Sequence, residues 1–200
     1  MKTRKRERMT PHDPTRRAVT AALASFPLAS SAARTRSSGE SRQVGSRTLV
    51  AYFSRSGNTR VVAGLIHRTL GTDLFEIRPD SPYPEDYLET VEQARQERDR
   101  GVEPVLEAKV PDLAAYDTVY LGFPIWGETT PPVIRSFLSA HDLSGKTITP
   151  FVTHGGYGLG NSRSVLASHA PKAMLREGFS MQADQERQTM EKVTGWLKNG

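Results

Sequence analysis

The sequence predicts an α/β domain built as a doubly wound parallel sheet with helices on both faces, and three observations carry that prediction. From residue 48 onward, short apolar runs alternate with longer amphipathic segments five times over, the pattern of repeated strand–helix units. The first run, "TLVAYFS", carries five consecutive apolar residues from Leu49 to Phe53, as a buried strand does. The three most unusual stretches, "SRSGNT", "PIWGETT" and "THGGYGLG", follow the first, third and fourth runs, and sheets of this kind bind ligands beyond the carboxyl ends of their strands.

The elements follow in order. Residues 48–54 form the first strand. "NTRVVAGLIHRTL" (58–70) is a helix with Val61, Val62, Leu65, Ile66 and Leu70 on one face. "DLFEIRP" (73–79) alternates as a second strand and closes at Pro79. "PEDYLETVEQARQERDRG" (84–101) is a highly charged helix whose sparse stripe of Tyr87, Leu88, Val91 and Ala94 suggests a loosely packed surface element. "DTVYLGFP" (117–124) is the third strand, and "PPVIRSFLSAH" (131–141) a helix whose first turn accepts its prolines. "KTITPFVTH" (146–154) is the fourth strand and "NSRSVLASHA" (161–170) a short helix. "KAMLREGFSM" (172–181) is a fifth strand broken near Gly178, and "DQERQTMEKVTGWL" (184–197) a final helix.

The chain of 200 residues has room for one domain of ordinary size, residues 48–200, and a tail. Its net charge of +5 invites a nucleic-acid reading. Residues 1–33 contain seven Lys/Arg against Glu7 and Asp13, which leaves 20 basic and 20 acidic side chains in the remainder. The basicity belongs to the leader, so no nucleic-acid partner is expected of the body. There is no cysteine, which excludes disulfides, thiolate metal sites and cysteine nucleophiles. No metal site is expected, and any redox chemistry requires a bound cofactor.

Residues 1–17 are polar and basic, and "AVTAALASFPLASSAA" (18–33) is a short, weakly apolar stretch with small residues at Ser31 and Ala33. That order is the pattern of an export signal. The apolar part is shorter than the ~20 residues a membrane span needs, so the mature chain is expected to carry no integral membrane segment. Arg16 and Arg17 resemble a twin-arginine signal, with Val19 where a bulkier residue is usual. The expected location is therefore periplasmic or otherwise exported. A disordered basic tail, or a true start at Met9, would instead leave the protein cytoplasmic. Residues 34–47 read as a flexible linker.

The loops suggest what the domain holds. Ser54, Ser56, Asn58 and Thr59 offer short polar side chains, and Gly57 lets successive amides converge. With the free N–H groups of the following helix they make a seat for a phosphate, although an ordinary helix cap uses the same residue types. No Gly-Lys-Ser/Thr follows, so the loop is not a nucleoside-triphosphate cradle. Trp126 stands at the end of a strand, either over a flat ligand or over the edge of the core. Gly155, Gly156, Gly158 and Gly160 bring backbone close to a ligand without the G-x-G-x-x-G spacing. Tyr157 is a second stacking candidate, and His154 is as readily structural as functional.

Taken in order, "AYFSRSGNT", "LGFPIWGETTPPV" and "PFVTHGGYGLG" resemble the flavodoxin-like family, in the branch of flavodoxins and NAD(P)H-dependent FMN oxidoreductases. The resemblance runs from about Thr48 to the C-terminus. It implies a three-layer, five-stranded sheet in the order 2-1-3-4-5 with FMN as cofactor. By that likeness Ser54, Ser56, Gly57, Asn58 and Thr59, with Arg55, would hold the phosphate. Pro124, Ile125, Trp126, Gly127 and Thr129 would line the isoalloxazine, with Glu128 beside it. Thr153, His154, Gly155, Gly156 and Tyr157, continued by Gly158, would enclose the other edge. Many relatives have a second aromatic where this chain has Gly127, and glycine where it has Glu128, so coverage of the flavin is thinner here or Tyr157 compensates.

The expected function is then an FMN-dependent oxidoreductase passing electrons or hydride from NAD(P)H or a protein donor to a quinone-like acceptor. The rival is a flavodoxin-type electron carrier docking a redox-partner protein. A third class is a phosphoprotein receiver, or another ligand-binding doubly wound domain without redox work; a receiver would want an acidic pair near the end of the first strand, and none is there. No catalytic residue is singled out, because electron transfer to a flavin needs no acid–base pair.

Overall fold

The computed structural model describes residues 47–182 and 186–199. The leader, and all of the linker except Arg47, lie outside the described residues. The elements alternate as β1 (Thr48–Tyr52), α1 (Asn58–Leu70), β2 (Asp73–Glu76), α2 (Tyr87–Arg100), β3 (Thr118–Pro124), α3 (Pro132–Ala140), β4 (Thr147–His154), α4 (Ser162–His169), β5 (Met174–Leu175), β6 (Phe179–Gln182) and α5 (Glu186–Asn199). All strand pairings within the sheet are parallel, and the order is β2-β1-β3-β4-β5 with β6 also on β4.

The alternation of side chains along each strand divides the interior in two. Leu49, Ala51, Val119, Leu121 and Phe123 point to one face, under Val133, Ile134 and Phe137 of α3 and Leu166 of α4. Val50, Tyr52 and Phe151 point to the other, under Val62, Leu65 and Ile66 of α1 and Val193 of α5. In α1, Val61 and Leu70 are exposed, and Thr59 and Ala63 are buried in their place.

The expected fifth strand is two short ones. β5 pairs with Thr147 and Ile148, β6 with residues from Phe151 onward. The interruption stands opposite Pro150, which has no N–H to give a neighbouring strand. Gly178 passes close there, since a Cβ on it would lie 2.9 Å from Pro150 Cγ.

α2 is the loosely packed surface helix expected, but it packs through little of its apolar stripe. Tyr87, Leu88 and Val91 are exposed, and its packing positions are Thr90 and Ala94, one turn apart. The helix is held at its ends: Asp86 caps it by accepting the Glu89 N–H at 2.9 Å. The Tyr83 hydroxyl donates to Glu97 Oε2 at 2.7 Å. Burial, and then Glu97, push that phenol above its ordinary pKa. The chain before and after α2 pairs as an antiparallel bridge between Pro79 and Leu106, with Asp80 N–H to Val105 O at 2.8 Å.

Candidate functional site

Beyond the carboxyl ends of β1, β3 and β4 lies a cleft of about 470 Å³. The sheet register explains why three distant loops meet there: parallel strands end on the same side. Arg55, Ser56, Asn58 and Thr59 reach it from the first loop. Pro124, Ile125, Trp126, Gly127 and Thr129 reach it from the second, and Thr153, His154, Gly155 and Tyr157 from the third. Ser54, Gly57, Glu128, Gly156 and Gly158 do not line the cleft and shape the turns behind it.

The loops are bonded to one another. The Thr59 and Thr153 hydroxyls share a buried hydrogen bond of 2.9 Å across 94 positions of sequence. Ile125 N–H donates to Thr153 O at 2.8 Å, tying the second loop to the third. In the first loop the Gly57 N–H donates to Ser54 Oγ at 3.1 Å, so that hydroxyl is committed to holding the turn. Arg55 does not point along the loop. Its Nη1 donates to Glu85 O at 3.1 Å, and its guanidinium lies over the Tyr87 ring at 5.8 Å, joining the first loop to the start of α2.

"WGET" forms a two-residue turn, with hydrogen bonds of 3.0 and 3.2 Å exchanged between Trp126 and Thr129. Gly127 at φ +55° and Glu128 at φ +63° take the left-handed positions, as a type I′ turn demands of both central residues. Glu128 is exposed at its tip. Its carbonyl accepts the Asn161 N–H at 3.0 Å, and a Cβ on Gly160 would stand 2.2 Å from that carbonyl oxygen. The third loop is thus pressed against the backbone of the second.

Trp126 packs over the edge of the core and also borders the cleft. It meets Phe53 and Tyr83 edge-on at 5.3 and 4.9 Å, half-buried at the core margin, and its remaining surface lines the cleft. His154 Nδ1 accepts the Gly156 N–H at 3.0 Å, so a neutral ring carries its proton on Nε2. Desolvation lowers the pKa of this histidine and favours the neutral form. Tyr157 is largely exposed at the mouth.

Two hydroxyls on the cleft wall, Thr129 Oγ1 and Thr130 Oγ1, are buried and have no hydrogen-bond partner among the described residues. A buried unpaired hydroxyl costs about 1–3 kcal/mol, which a polar partner at either position would relieve. Among the described residues, three guanidinium side chains, Arg55, Arg95 and Arg98, line the cleft, and no carboxylate does. No cluster of His, Cys, Asp or Glu among the described residues could hold a metal ion, and no described helix is long and apolar enough to cross a membrane.

Sequence reasoning missed the wall made by α2. Tyr87, Val91, Ala94, Arg95 and Arg98 face the cleft, and their spacing of three and four is the signal that could have found them.

A family model described as Flavodoxin matches residues 47–200. A candidate flavoprotein of Bacteroides eggerthii is 33% identical, with a TM-score of 0.67, over 76% of this chain and 96% of its own. One from Bacteroides uniformis is 32% identical, with a TM-score of 0.69, over 77% and 99%. A Lactobacillus acidophilus flavoprotein in complex with FMN shares the fold at 21% identity and a TM-score of 0.60, over 72% and 98%. The sequence matches none of the curated proteins compared with it.

Proposed function

The chain belongs to the flavodoxin family, and from that premise we propose that it is an FMN-dependent oxidoreductase, moving electrons from NAD(P)H or a protein donor to a quinone-like acceptor. The observation that carries the reading is the convergence of three loops on one cleft whose wall holds the buried, unpaired hydroxyls of Thr129 and Thr130. FMN fits that donor set, because its ring and ribityl chain present polar atoms along a flat apolar body.

Ser56, Asn58 and Thr59 with the amides opening α1 seat the phosphate. Arg55 stands at that end of the cleft. Trp126 is fixed edge-on by Phe53 and Tyr83 and offers its cleft side to the ring. The Thr129 and Thr130 hydroxyls, buried in the wall, would be the side-chain groups behind the ring, and neutral His154 would present Nε2–H as a donor. When bound, FMN supplies one- and two-electron redox chemistry, and the protein sets orientation and local charge.

The carrier reading has one observation of its own. Leu88 is 73% exposed on α2 and sits with Glu89 and Glu92 on one shallow surface, a seat of the right charge for a basic redox protein. The test is reconstitution with FMN followed by steady-state NAD(P)H oxidation with a panel of quinones. Turnover supports the enzyme, and bound flavin without turnover supports the carrier.

We further propose that residues 1–33 are a twin-arginine export signal, which suits a protein that takes up its cofactor before crossing a membrane. Replacing Arg16 and Arg17 by Lys should leave the full-length chain in the cytoplasm on fractionation. An unchanged distribution would remove the proposal.

A further inference from the structure

The cofactor loops account for one wall of the cleft, and α2 makes the other. From Tyr87 to Arg98 is eleven residues, about 16 Å of helix. The two ends of this wall meet different loops. Tyr87 lies under the Arg55 guanidinium of the first loop, whereas Arg98 Nη1 would stand 2.9 Å from a Cβ on Gly127 in the second. Arg98 therefore sits at the end of the cleft away from the phosphate seat, beside the loop assigned to the ring. Between the two ends Val91 and Ala94 give the wall an apolar strip, flanked by Thr90 and Arg95.

The charges of α2 are arranged to hold this position. Asp99 binds Arg95 Nη1 at 3.0 Å and Arg98 Nη2 at 3.1 Å, and Glu92 binds Arg95 Nη2 at 2.8 Å. Neither carboxylate lines the cleft, while both guanidiniums do. Arg98 keeps Nη1 unspent on these ion pairs, and its side chain is 34% exposed. A partly covered, pre-oriented guanidinium beside an apolar strip is suited to a planar molecule that carries an anionic group.

We propose that the α2 wall is the seat of the second redox ligand, and that this ligand is a flat aromatic bearing a carboxylate, sulfonate or phosphate, recognised by Arg98. This rests on the FMN reading above and adds the chemical class of the molecule that exchanges electrons with the flavin. The cofactor's own phosphate does not need Arg98, because the first loop and Arg55 lie at the opposite end.

The test uses FMN-loaded protein and a matched, redox-inert pair, naphthalene-2-sulfonate and its neutral sulfonamide. Affinities are read by calorimetry and by the perturbation of flavin absorbance. The sulfonate should bind about tenfold more tightly at low ionic strength, with the preference fading as salt is added. Arg98→Gln should abolish the preference and leave the sulfonamide affinity in place, and Arg98→Lys should keep part of it. Circular dichroism establishes that each variant is folded.

Competition by NADPH and by a sulfonated quinone, run separately, identifies whether donor or acceptor carries the charge, and displacement of the sulfonate by either supports the seat. Equal affinities for the pair, a preference that survives Arg98→Gln, or expulsion of FMN by the sulfonate would each overturn the inference. Protein that never takes up FMN would instead defeat the function proposed above, so the two failures are distinct.

Discussion

Replacing Gly160 by alanine tests how tightly the second and third loops are locked. The residue has φ +51°, and a Cβ there would stand 2.2 Å from the Glu128 carbonyl oxygen and 2.8 Å from its carbon. The left-handed backbone costs a non-glycine residue about 1–2 kcal/mol. Moving the carbonyl aside also disrupts its hydrogen bond with the Asn161 N–H, worth about 0.5–1.5 kcal/mol. The sum is about 2–3 kcal/mol, and at ~2–4 °C per kcal/mol for a domain of this size the melting temperature should fall by about 4–12 °C. Because the turn carrying Glu128 also carries Trp126, Gly127 and Thr129, FMN affinity should fall with it. Thermal unfolding and a flavin fluorescence titration read the two effects. A Gly160→Ala protein that melts with the native one and binds FMN equally well would refute the claimed contact between the loops.

Three other outcomes follow from particular contacts. Glu128→Gly removes a non-glycine side chain from a left-handed position and should raise stability in urea by up to about 1 kcal/mol; a loss would show that the Glu128 side chain has a role of its own. Thr59→Val leaves the buried Thr153 hydroxyl without its 2.9 Å partner and should cost about 1–3 kcal/mol by chemical unfolding of the FMN-free protein. For Glu76, partial burial opposes ionisation, but Arg60 and Arg78 outweigh it and hold the carboxyl below its ordinary range. The stability this contributes is present above the unfolded carboxylate pKa and is lost as pH falls through the lower, folded one. The urea midpoint of Glu76→Gln should therefore vary less with pH across the acid range than that of the native chain, and identical profiles would contradict this assignment.

What could be read from the sequence depended on how local the signal was. The loops "SRSGNT", "PIWGETT" and "THGGYGLG" each carry their composition within a few residues, and parallel strands bring them together without further information. The alternation of runs likewise identifies β1 to β4 and the helices between them. The fifth strand's break was visible at Gly178, but its cause sits 28 residues earlier in Pro150, which no local pattern connects to it. α2 is the loosely packed surface helix expected, but its place on the cleft was not legible, for a physical reason. Its apolar residues Tyr87, Leu88 and Val91 are exposed, and its anchoring comes from Asp86, Tyr83 and Glu97. A helix that faces a cleft instead of a core has a weak apolar stripe, and its arginines look like solvated charges until the opposite wall is seen.

Calorimetric titration of the FMN-free protein with FMN and, separately, with riboflavin is the most direct measurement of the central claim, that the three loops hold this cofactor by phosphate and ring together. The account predicts one molecule of FMN per chain, bound far more tightly than riboflavin, which lacks the phosphate that we assign to Ser56, Asn58 and Thr59. Heat traces showing no binding of FMN, or equal affinities for the two flavins, would contradict it.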